Sequence, residues 1–384
     1  MTRQENNKLS SVEGVRGLAC FMVLLSHLSS IFFPYLHGQH EELIMSSFDA
    51  LLFKLPLGFM YSGTGAVYIF FCLSGYILTY ACASKGDVPT NAAKMFSARY
   101  LRLAIPTFVS IVICYIVLVS FPNNSEGMSW ISGWGSGIDL SLFSALRNAI
   151  FSSVFLGDAS YNWVVWTMQL ELFGSFVIFF SISVIDNIYY KKTIYLILAF
   201  LIGINFPTKF GFGYSAFLIG AFIYYMPSIK NRFLSYLILL IGLYLCGYHY
   251  KQSFYSWLSV FETGYLKSIN VSGSFLYLML SGCALVFVAL KSNILNAITS
   301  NKVSVWMGKM SFSAYLLQMP VFFLISPISL TIRNAFSIGY TLSAFITSAI
   351  CLTVIYVLAV IFQRTVDAKS VTMSKHMINI LVKK

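Results

Sequence analysis

The sequence predicts an all-α polytopic membrane protein, with about ten transmembrane helices and both termini in the cytoplasm. Three observations lead to this prediction. Only 10% of the 384 residues are charged, whereas soluble domains carry about 25%. Hydrophobic residues make up 58% and the mean hydropathy is +0.77. Apolar blocks of about 20 residues recur along the chain, so an ordinary soluble enzyme, a disordered chain and a fibrous repeat are excluded.

Hydropathy, with breaks at charged, Gly and Pro clusters, divides the chain into three parts. A cytoplasmic N-terminal segment, 1–14, precedes the membrane domain, 15–362, and a basic cytoplasmic tail, 363–384, follows it. The predicted spans are 15–36, 63–83, 104–121, 162–185, 193–206, 211–226, 233–250, 273–290, 311–330 and 338–362. Two outside segments, 37–62 and 122–161, contain apolar stretches too short to cross. Each is expected either to lie in the membrane interface or to dip back into the protein.

The distribution of basic residues supports this topology. With both termini inside, all but six of the 25 Lys and Arg residues fall on the cytoplasmic side, as the positive-inside rule expects. The six outside are Lys54, Arg147, Lys209, Lys251, Lys267 and Arg333. Membrane lipid therefore explains the net charge of +12, and no nucleic acid partner is expected. The seven cysteines lie in or beside apolar blocks without metal-ligand spacing, so no metal site is expected.

Ionisable residues within a span are costly, and they indicate function unless a structural partner satisfies them. Arg16 and His27 both belong to the first predicted span. Their spacing places them on one helix face, about 20° apart in azimuth and about 16 Å apart along the axis. Ser10 and Glu13 have the form of a capping box that would start this helix, and Glu13 shares the face of Arg16. The alternative is that Arg16 extends to the membrane surface and His27 is a satisfied core histidine.

Two further clusters carry charge. Glu171, at the end of the run 166–171, is the acidic residue placed well inside a predicted span, so it must be neutral, paired or facing water. A structural ion pair and a role beside His27 both remain open. Arg99 and Arg102 are spaced i and i+3 on one helix face, which suits a phosphate group. The positive-inside rule alone would also place arginines there.

Taken in order, these residues resemble the membrane-bound acyltransferase 3 family, which modifies bacterial surface glycans and some other acceptors. The matching elements are Glu13-Gly14-Val15-Arg16-Gly17-Leu18-Ala19 followed by His27, Phe70-Phe71-Cys72-Leu73-Ser74-Gly75, Arg99-Tyr100-Leu101-Arg102, Trp166-Thr167-Met168-Gln169-Leu170-Glu171 and Ser311-Phe312-Ser313-Ala314-Tyr315-Leu316. No single element is specific, but the ordered set is, and it extends over residues 13–320. The chain departs from the family's pattern at Tyr68, where members often carry an acid, and at Gln318, where many carry His.

The resemblance implies acetyl-CoA as donor substrate, no permanently bound cofactor, and an acceptor hydroxyl on an extracytoplasmic glycan such as lipopolysaccharide O-antigen, capsule or exopolysaccharide. It implies a multi-pass protein of the bacterial inner membrane, without the extracytoplasmic hydrolase-like domain fused to some relatives. His27 would be the general base or a transient acyl carrier, assisted by Arg16 and Glu171. Arg99, Arg102 and Arg16 would bind the donor. The expected substrate-binding or structural motif residues are Glu13, Ser74, Trp166, Tyr315 and Gln318.

The competing interpretation is a proton-coupled transporter or flippase. In such a protein His27 and Glu171 would form a proton relay, and no covalent chemistry would occur. Dependence on CoA distinguishes the two classes, because a transporter does not need an arginine pair that binds phosphate. The sequence also shows no inverted repeat of the kind that many transporters carry.

Overall fold

The computed structural model describes residues 3–44, 47–84, 86–125 and 128–381, and within these ranges it contains helices and no strand. The described ranges contain ten helices of 15 residues or more, labelled α1 to α10. They are α1 Arg3–Phe32, α2 Gly63–Ala83, α3 Val88–Ser120, α4 Thr167–Ile185, α5 Lys191–Asn205, α6 Lys209–Tyr225, α7 Arg232–Cys246, α8 Gly273–Lys291, α9 Lys302–Ile325 and α10 Tyr340–Phe362. Shorter helices lie between some of these, and the helix labelled α11 covers Ala368–Leu381. Each predicted span overlaps one of the ten.

Seven helices of the described ranges are long and apolar enough to cross a membrane, namely α1 to α4 and α8 to α10. Helices α5, α6 and α7 have only 15, 17 and 15 residues, and a straight span of the hydrocarbon core needs about 20. The prediction of an all-α membrane protein is therefore confirmed. The count of ten spans and the cytoplasmic location of the termini stay predictions.

Close contacts between backbones hold the centre of the bundle, where α1 packs on α9 and α2 packs on α6. A Cβ atom on Gly308 would lie 1.9 Å from the carbonyl oxygen of Glu13, and one on Gly75 would lie 1.9 Å from that of Phe217. Only glycine permits such an approach. Gly75 therefore allows α2 to pack closely on α6.

The first helix begins earlier than the sequence predicts. Helix α1 starts at Arg3, so Ser10 and Glu13 lie within it and the predicted capping box is wrong. The hydroxyls of Ser11 and Ser300 are 2.8 Å apart, which ties this polar turn to the segment before α9. A tertiary contact of this kind stabilises a helical extension that has no apolar run of its own.

The limits of two other helices also differ. Helix α3 begins at Val88, whereas hydropathy predicts that the span begins at residue 104. The Asp87 side chain caps this helix by accepting a hydrogen bond from the Thr90 N–H over 3.3 Å. Helix α10 continues through a π-helical turn, Gln363–Asp367, into α11, which packs on α3. The predicted start of the tail at residue 363 therefore lies within a continuous helix, and residues 382–384 of that tail lie outside the described ranges.

The two apolar outside segments fold against the helices. In 122–161, Trp134 is buried, and the Ser125 hydroxyl donates to a backbone carbonyl of α9 over 2.7 Å. In 37–62, the 3-10 turn Gly58–Tyr61 packs on α1 and α7. Both segments therefore pack on the helices in part, and the choice between the membrane interface and a dip back into the protein stays a prediction.

Candidate active site

A cavity of about 380 Å³, the arginine cavity, lies among α1, α2, α3, α4 and α9 and the turn after α10. Four basic and three acidic side chains distinguish its lining. They are Arg16, Arg99, Arg102, Lys309, Glu13, Glu171 and Asp367. Its volume falls in the range of about 300 to 1,000 Å³ that small-molecule sites occupy. Three of the predicted donor-binding arginines therefore face one space.

A buried ion pair joins α3 to α4 in the wall of this cavity. Nη2 of Arg99 donates to Oε2 of Glu171 over 2.7 Å, and Nε of Arg99 donates to the Ser175 hydroxyl, also over 2.7 Å. The Ser74 hydroxyl donates to the same carboxylate over 3.0 and 3.2 Å. Both side chains of the pair are only 14% exposed. Of the two interpretations of Glu171, the structural ion pair is observed, and Arg99 is the partner.

The other basic residues of the cavity are more open. Arg16 donates to Glu13 over 3.0 Å, and its side chain is 32% exposed. Arg102 and Lys309 are both exposed, and neither forms an ion pair with any residue that the structure describes. Arg102 and Lys309 are therefore open to the solvent side of the cavity, whereas Arg99 already has a carboxylate partner.

His27 lies beyond the inner end of the arginine cavity. The cavity lining includes Tyr315, and one turn further along α9 the Oε1 atom of Gln318 is 2.6 Å from Nδ1 of His27. The amide nitrogen of Gln318 donates to the Tyr315 carbonyl over 2.8 Å, so the amide oxygen faces the imidazole. Because a carbonyl oxygen only accepts, Nδ1 of His27 carries the proton and Nε2 keeps its lone pair.

An aromatic stack fixes the plane of this imidazole. The ring of His27 is parallel to that of Trp130 within 14°, with centroids 4.7 Å apart, and Phe322 meets it edge-on at 6.4 Å. Trp130 belongs to a 3-10 turn in the segment 122–161. Sequence analysis missed it, because a tryptophan in a loop rich in Gly and Ser has no helical spacing that relates it to His27.

Tyr315, Trp166 and Tyr68, three further residues named from the sequence, contact neighbouring elements of the bundle. The Tyr315 hydroxyl donates to the Val164 carbonyl over 2.8 Å. The ammonium group of Lys209 lies 3.0 Å from the ring centroid of Trp166, a cation–π contact. Tyr68, which stands where the family often has an acid, donates its hydroxyl to the Lys209 carbonyl over 3.1 Å. These contacts place Trp166 and Tyr68 in the packing around the cavity, outside its lining.

Comparison with known proteins gives two findings. The family described as an acyltransferase domain, acyltransferase 3, matches residues 9–361. The chain is also similar to O-acetyltransferase PaAT-1 of Phomopsis amygdali, with 24% identity over 205 residues; the match covers 46% of this chain and 40% of that protein. No solved structure matches the chain. The family match includes Arg16, His27, Arg99 and Glu171.

Proposed function

Because the chain belongs to the membrane-bound acyltransferase 3 family and is an acyltransferase, we propose that it moves an acetyl group from cytoplasmic acetyl-CoA to a hydroxyl of an extracytoplasmic glycan. The acceptor is lipopolysaccharide O-antigen, capsule or exopolysaccharide, and the enzyme works in the bacterial inner membrane. The relative from Phomopsis is an O-acetyltransferase, which supports acetyl transfer to oxygen. The observation that carries the proposal is an imidazole with a fixed tautomer beyond the inner end of a cationic cavity.

The arginine cavity is the proposed donor site. The phosphates of CoA bind Arg102 and Lys309 at the exposed wall through charge-assisted hydrogen bonds. The guanidinium of Arg16 donates one hydrogen bond to Glu13, and its other N–H groups can bind the same ligand. From Arg16 the thioester arm passes Tyr315 and covers about 16 Å to reach the level of His27. The positive-inside rule supports a cytoplasmic position for this cavity. The same topology requires ten spans, which include the short helices α5, α6 and α7.

The proposed chemistry uses Nε2 of His27 as general base. Nε2 takes the proton of the acceptor hydroxyl while the hydroxyl oxygen attacks the thioester carbonyl carbon. The carbon–sulfur bond then breaks, the CoA thiolate leaves, and it takes the proton back from the imidazolium. Gln318 accepts from Nδ1–H throughout and stabilises the imidazolium. Attack by Nε2 itself, which gives an acyl-imidazole, is the second route available to the same lone pair.

Glu171 has a supporting role in this proposal. Its contacts with Arg99 and Ser74 orient a wall of the donor cavity, and they favour a positioning residue over a proton carrier. The transporter alternative needs a relay between His27 and Glu171, whereas the family match favours acyl transfer. We therefore assign the reactive proton to His27 alone.

The proposal is tested by replacing His27. We expect His27→Ala to abolish glycan acetylation at normal membrane abundance, because an apolar helix loses only its reactive imidazole. The measurement is acetate released by alkali from purified polysaccharide, in a deletion strain complemented with each variant and normalised to protein. His376→Ala is the matched control, because His376 is exposed on α11 and does not line the arginine cavity.

Wild-type acetylation by His27→Ala would overturn the catalytic assignment and return His27 to a core histidine. Purified enzyme incubated with acetyl-CoA alone distinguishes the two chemical routes. An acetyl group found on His27 by peptide mass spectrometry would select the acyl-carrier route, and an unmodified peptide would select the general-base route.

A further inference from the structure

A second polar cavity lies toward the other end of α1. This histidine pocket, of about 170 Å³, is lined by Ser26 of α1 and by the loop residues His37, Tyr61, His249 and Gln252, among others. Arg16 of the arginine cavity precedes Ser26 by about 15 Å along the helix axis. His27, the proposed base, directly follows Ser26 in the chain. The catalytic histidine therefore lies between two cavities.

Two buried oxygen atoms of the histidine pocket make no hydrogen bond of good geometry with a described residue, although their two side chains lie near enough to interact with each other. They are the Tyr61 hydroxyl and the side-chain carbonyl of Gln252. Gln252 is only 3% exposed, and its amide nitrogen donates to the Phe53 carbonyl over 3.0 Å, so the amide is held in this orientation. A buried polar group without a partner costs about 1 to 3 kcal/mol. Two such atoms facing one cavity indicate a polar ligand.

The histidine on the other wall also has a ring nitrogen that can accept a hydrogen bond. Since the Ser29 hydroxyl donates to the Ser26 carbonyl over 2.9 Å, its oxygen accepts from Nε2–H of His37 over 2.8 Å. The lone pair of the neutral ring is then on Nδ1. Burial, and then the charges of His249 and His27, lower the pKa of His37 to about 4. The imidazole is therefore neutral at pH 7.

The size and charge of the pocket restrict the ligand. Its volume of about 170 Å³ equals about six water molecules at roughly 30 Å³ each, which suits one ring and excludes a long chain. No Asp, Glu, Lys or Arg of the described ranges lines it, so no charged group of the lining compensates a phosphate or a carboxylate. Its groups instead donate and accept neutral hydrogen bonds, and the aromatic rings of Tyr61 and His37 lie 5.5 Å apart on its wall.

We propose that the histidine pocket binds one neutral sugar residue of the acceptor through its hydroxyl groups. Tyr61 donates to a sugar oxygen, while Gln252 and Nδ1 of His37 accept from sugar hydroxyls. The bound residue presents a hydroxyl to His27 from the side opposite the donor. This inference rests on the proposed function and adds a site for the acceptor class.

The experiment measures the two substrates separately in purified enzyme. The acceptor probe is unacetylated polysaccharide from a strain lacking this gene, and the donor is radiolabelled acetyl-CoA. Tyr61→Phe removes one unpaired hydroxyl without changing shape, and Tyr195→Phe is the matched control, because Tyr195 is a buried tyrosine whose hydroxyl also lacks a partner in the described chain. We expect Tyr61→Phe to raise the KM for polysaccharide about five- to tenfold, the effect of one lost hydrogen bond. The KM for acetyl-CoA stays unchanged, and Tyr195→Phe changes neither value.

A second variant guards against a folding defect in the first. His37→Gln keeps an N–H donor for Ser29 but loses the Nδ1 acceptor, so it should also raise the KM for polysaccharide alone. An unchanged polysaccharide KM in both variants would overturn the pocket, and so would an equal rise in the acetyl-CoA KM. If wild-type enzyme transfers no acetyl group to the polysaccharide, the proposed function fails and the inference falls with it. This last outcome is visible before any variant is made.

Discussion

The arginine cavity and the histidine pocket lie against different parts of one helix, and they are built from different chemistry. Seven charged side chains line the first, whereas within the described ranges none lines the second. Glu13 and Glu171 of the first have basic partners at 3.0 and 2.7 Å, while two buried oxygens of the second make no well-formed hydrogen bond with a described residue. A donor that carries phosphates needs fixed cations, and a neutral acceptor needs hydrogen bonds that only the substrate completes. The charge difference therefore fits the proposed division, with the donor in the arginine cavity and the acceptor in the histidine pocket.

The largest expected effect comes from replacing Arg99, and it differs in kind from the effect of replacing Arg102. We expect Arg99→Gln to lower the free energy of unfolding by about 3 to 5 kcal/mol, because it leaves the buried carboxylate of Glu171 without its cation. Arg102→Gln should leave stability unchanged and raise the KM for acetyl-CoA about tenfold, since one charge-assisted contact at an exposed wall is lost. Thermal unfolding in detergent and initial-rate kinetics measure the two effects.

Two controls accompany the arginine variants. Lys192→Gln removes one exposed cation outside the cavity, so it has the charge change of Arg102→Gln without the contact. Arg99→Gln combined with Glu171→Gln removes both charges and should recover much of the lost stability. A stable Arg99→Gln enzyme with a raised acetyl-CoA KM would show that Arg99 binds the donor directly, as the motif alone predicts.

A smaller effect concerns Gln318, which lies between the two cavities. Gln318→Leu keeps the size of the side chain but cannot accept from Nδ1–H of His27, so the ring can place its proton on either nitrogen. We expect kcat to fall about 100-fold, at the lower end of a general-base contribution. The KM for acetyl-CoA should not change, and Gln318→His, which restores an acceptor, should recover part of the rate.

The pH profile of kcat shows whether Gln318 positions His27 or only packs against it. Loss of the Gln318 acceptor should shift its acidic limb, because the acceptor stabilises the imidazolium of His27. Gln169→Leu, the same exchange on α4, is the control. A uniformly lower kcat with an unchanged profile would assign Gln318 a packing role only.

The course of the chain could be predicted from hydropathy, because each apolar run identifies a segment that must avoid water. The helix ends could not. The polar turns after Arg3 and Val88 extend their helices beyond the apolar runs, and they depend on tertiary contacts such as Ser11 with Ser300. The same reason explains why Gln363 and Asp367 were missed as lining residues of the arginine cavity.

The candidate residues were found because ionisable groups in a span are rare, and this argument identified Arg16, His27 and Glu171. It placed Glu13 beside Arg16, as observed, but it did not give the partners of His27 and Glu171. Arg99 and Glu171 are 72 positions apart, so only the packing of α3 on α4 decides that they pair. Trp130 reaches His27 from a loop, and no periodicity in a loop predicts where its side chains lie.

The smallest effect tests the neutral character of the histidine pocket. Because the pKa of His37 is about 4 in the folded protein and about 6.5 in an unfolded chain, the unfolded state binds more protons between these values. Stability is therefore full above pH 6.5 and falls as the pH drops toward 4, by about 1 to 2 kcal/mol between pH 7 and pH 5. The groups that face His37 are His249, His27 and Tyr61, and burial lowers the pKa of His249 as well. Thermal unfolding of wild type and His37→Gln at pH 7 and pH 5 therefore isolates the contribution of His37. It is the part of the pH dependence of stability that is present in wild type and absent in the variant. The arginines of the other cavity keep their charge over this pH range. Equal pH dependence of stability in wild type and His37→Gln would mean that the pocket does not hold His37 neutral. The contrast between the two cavities would then lose its basis.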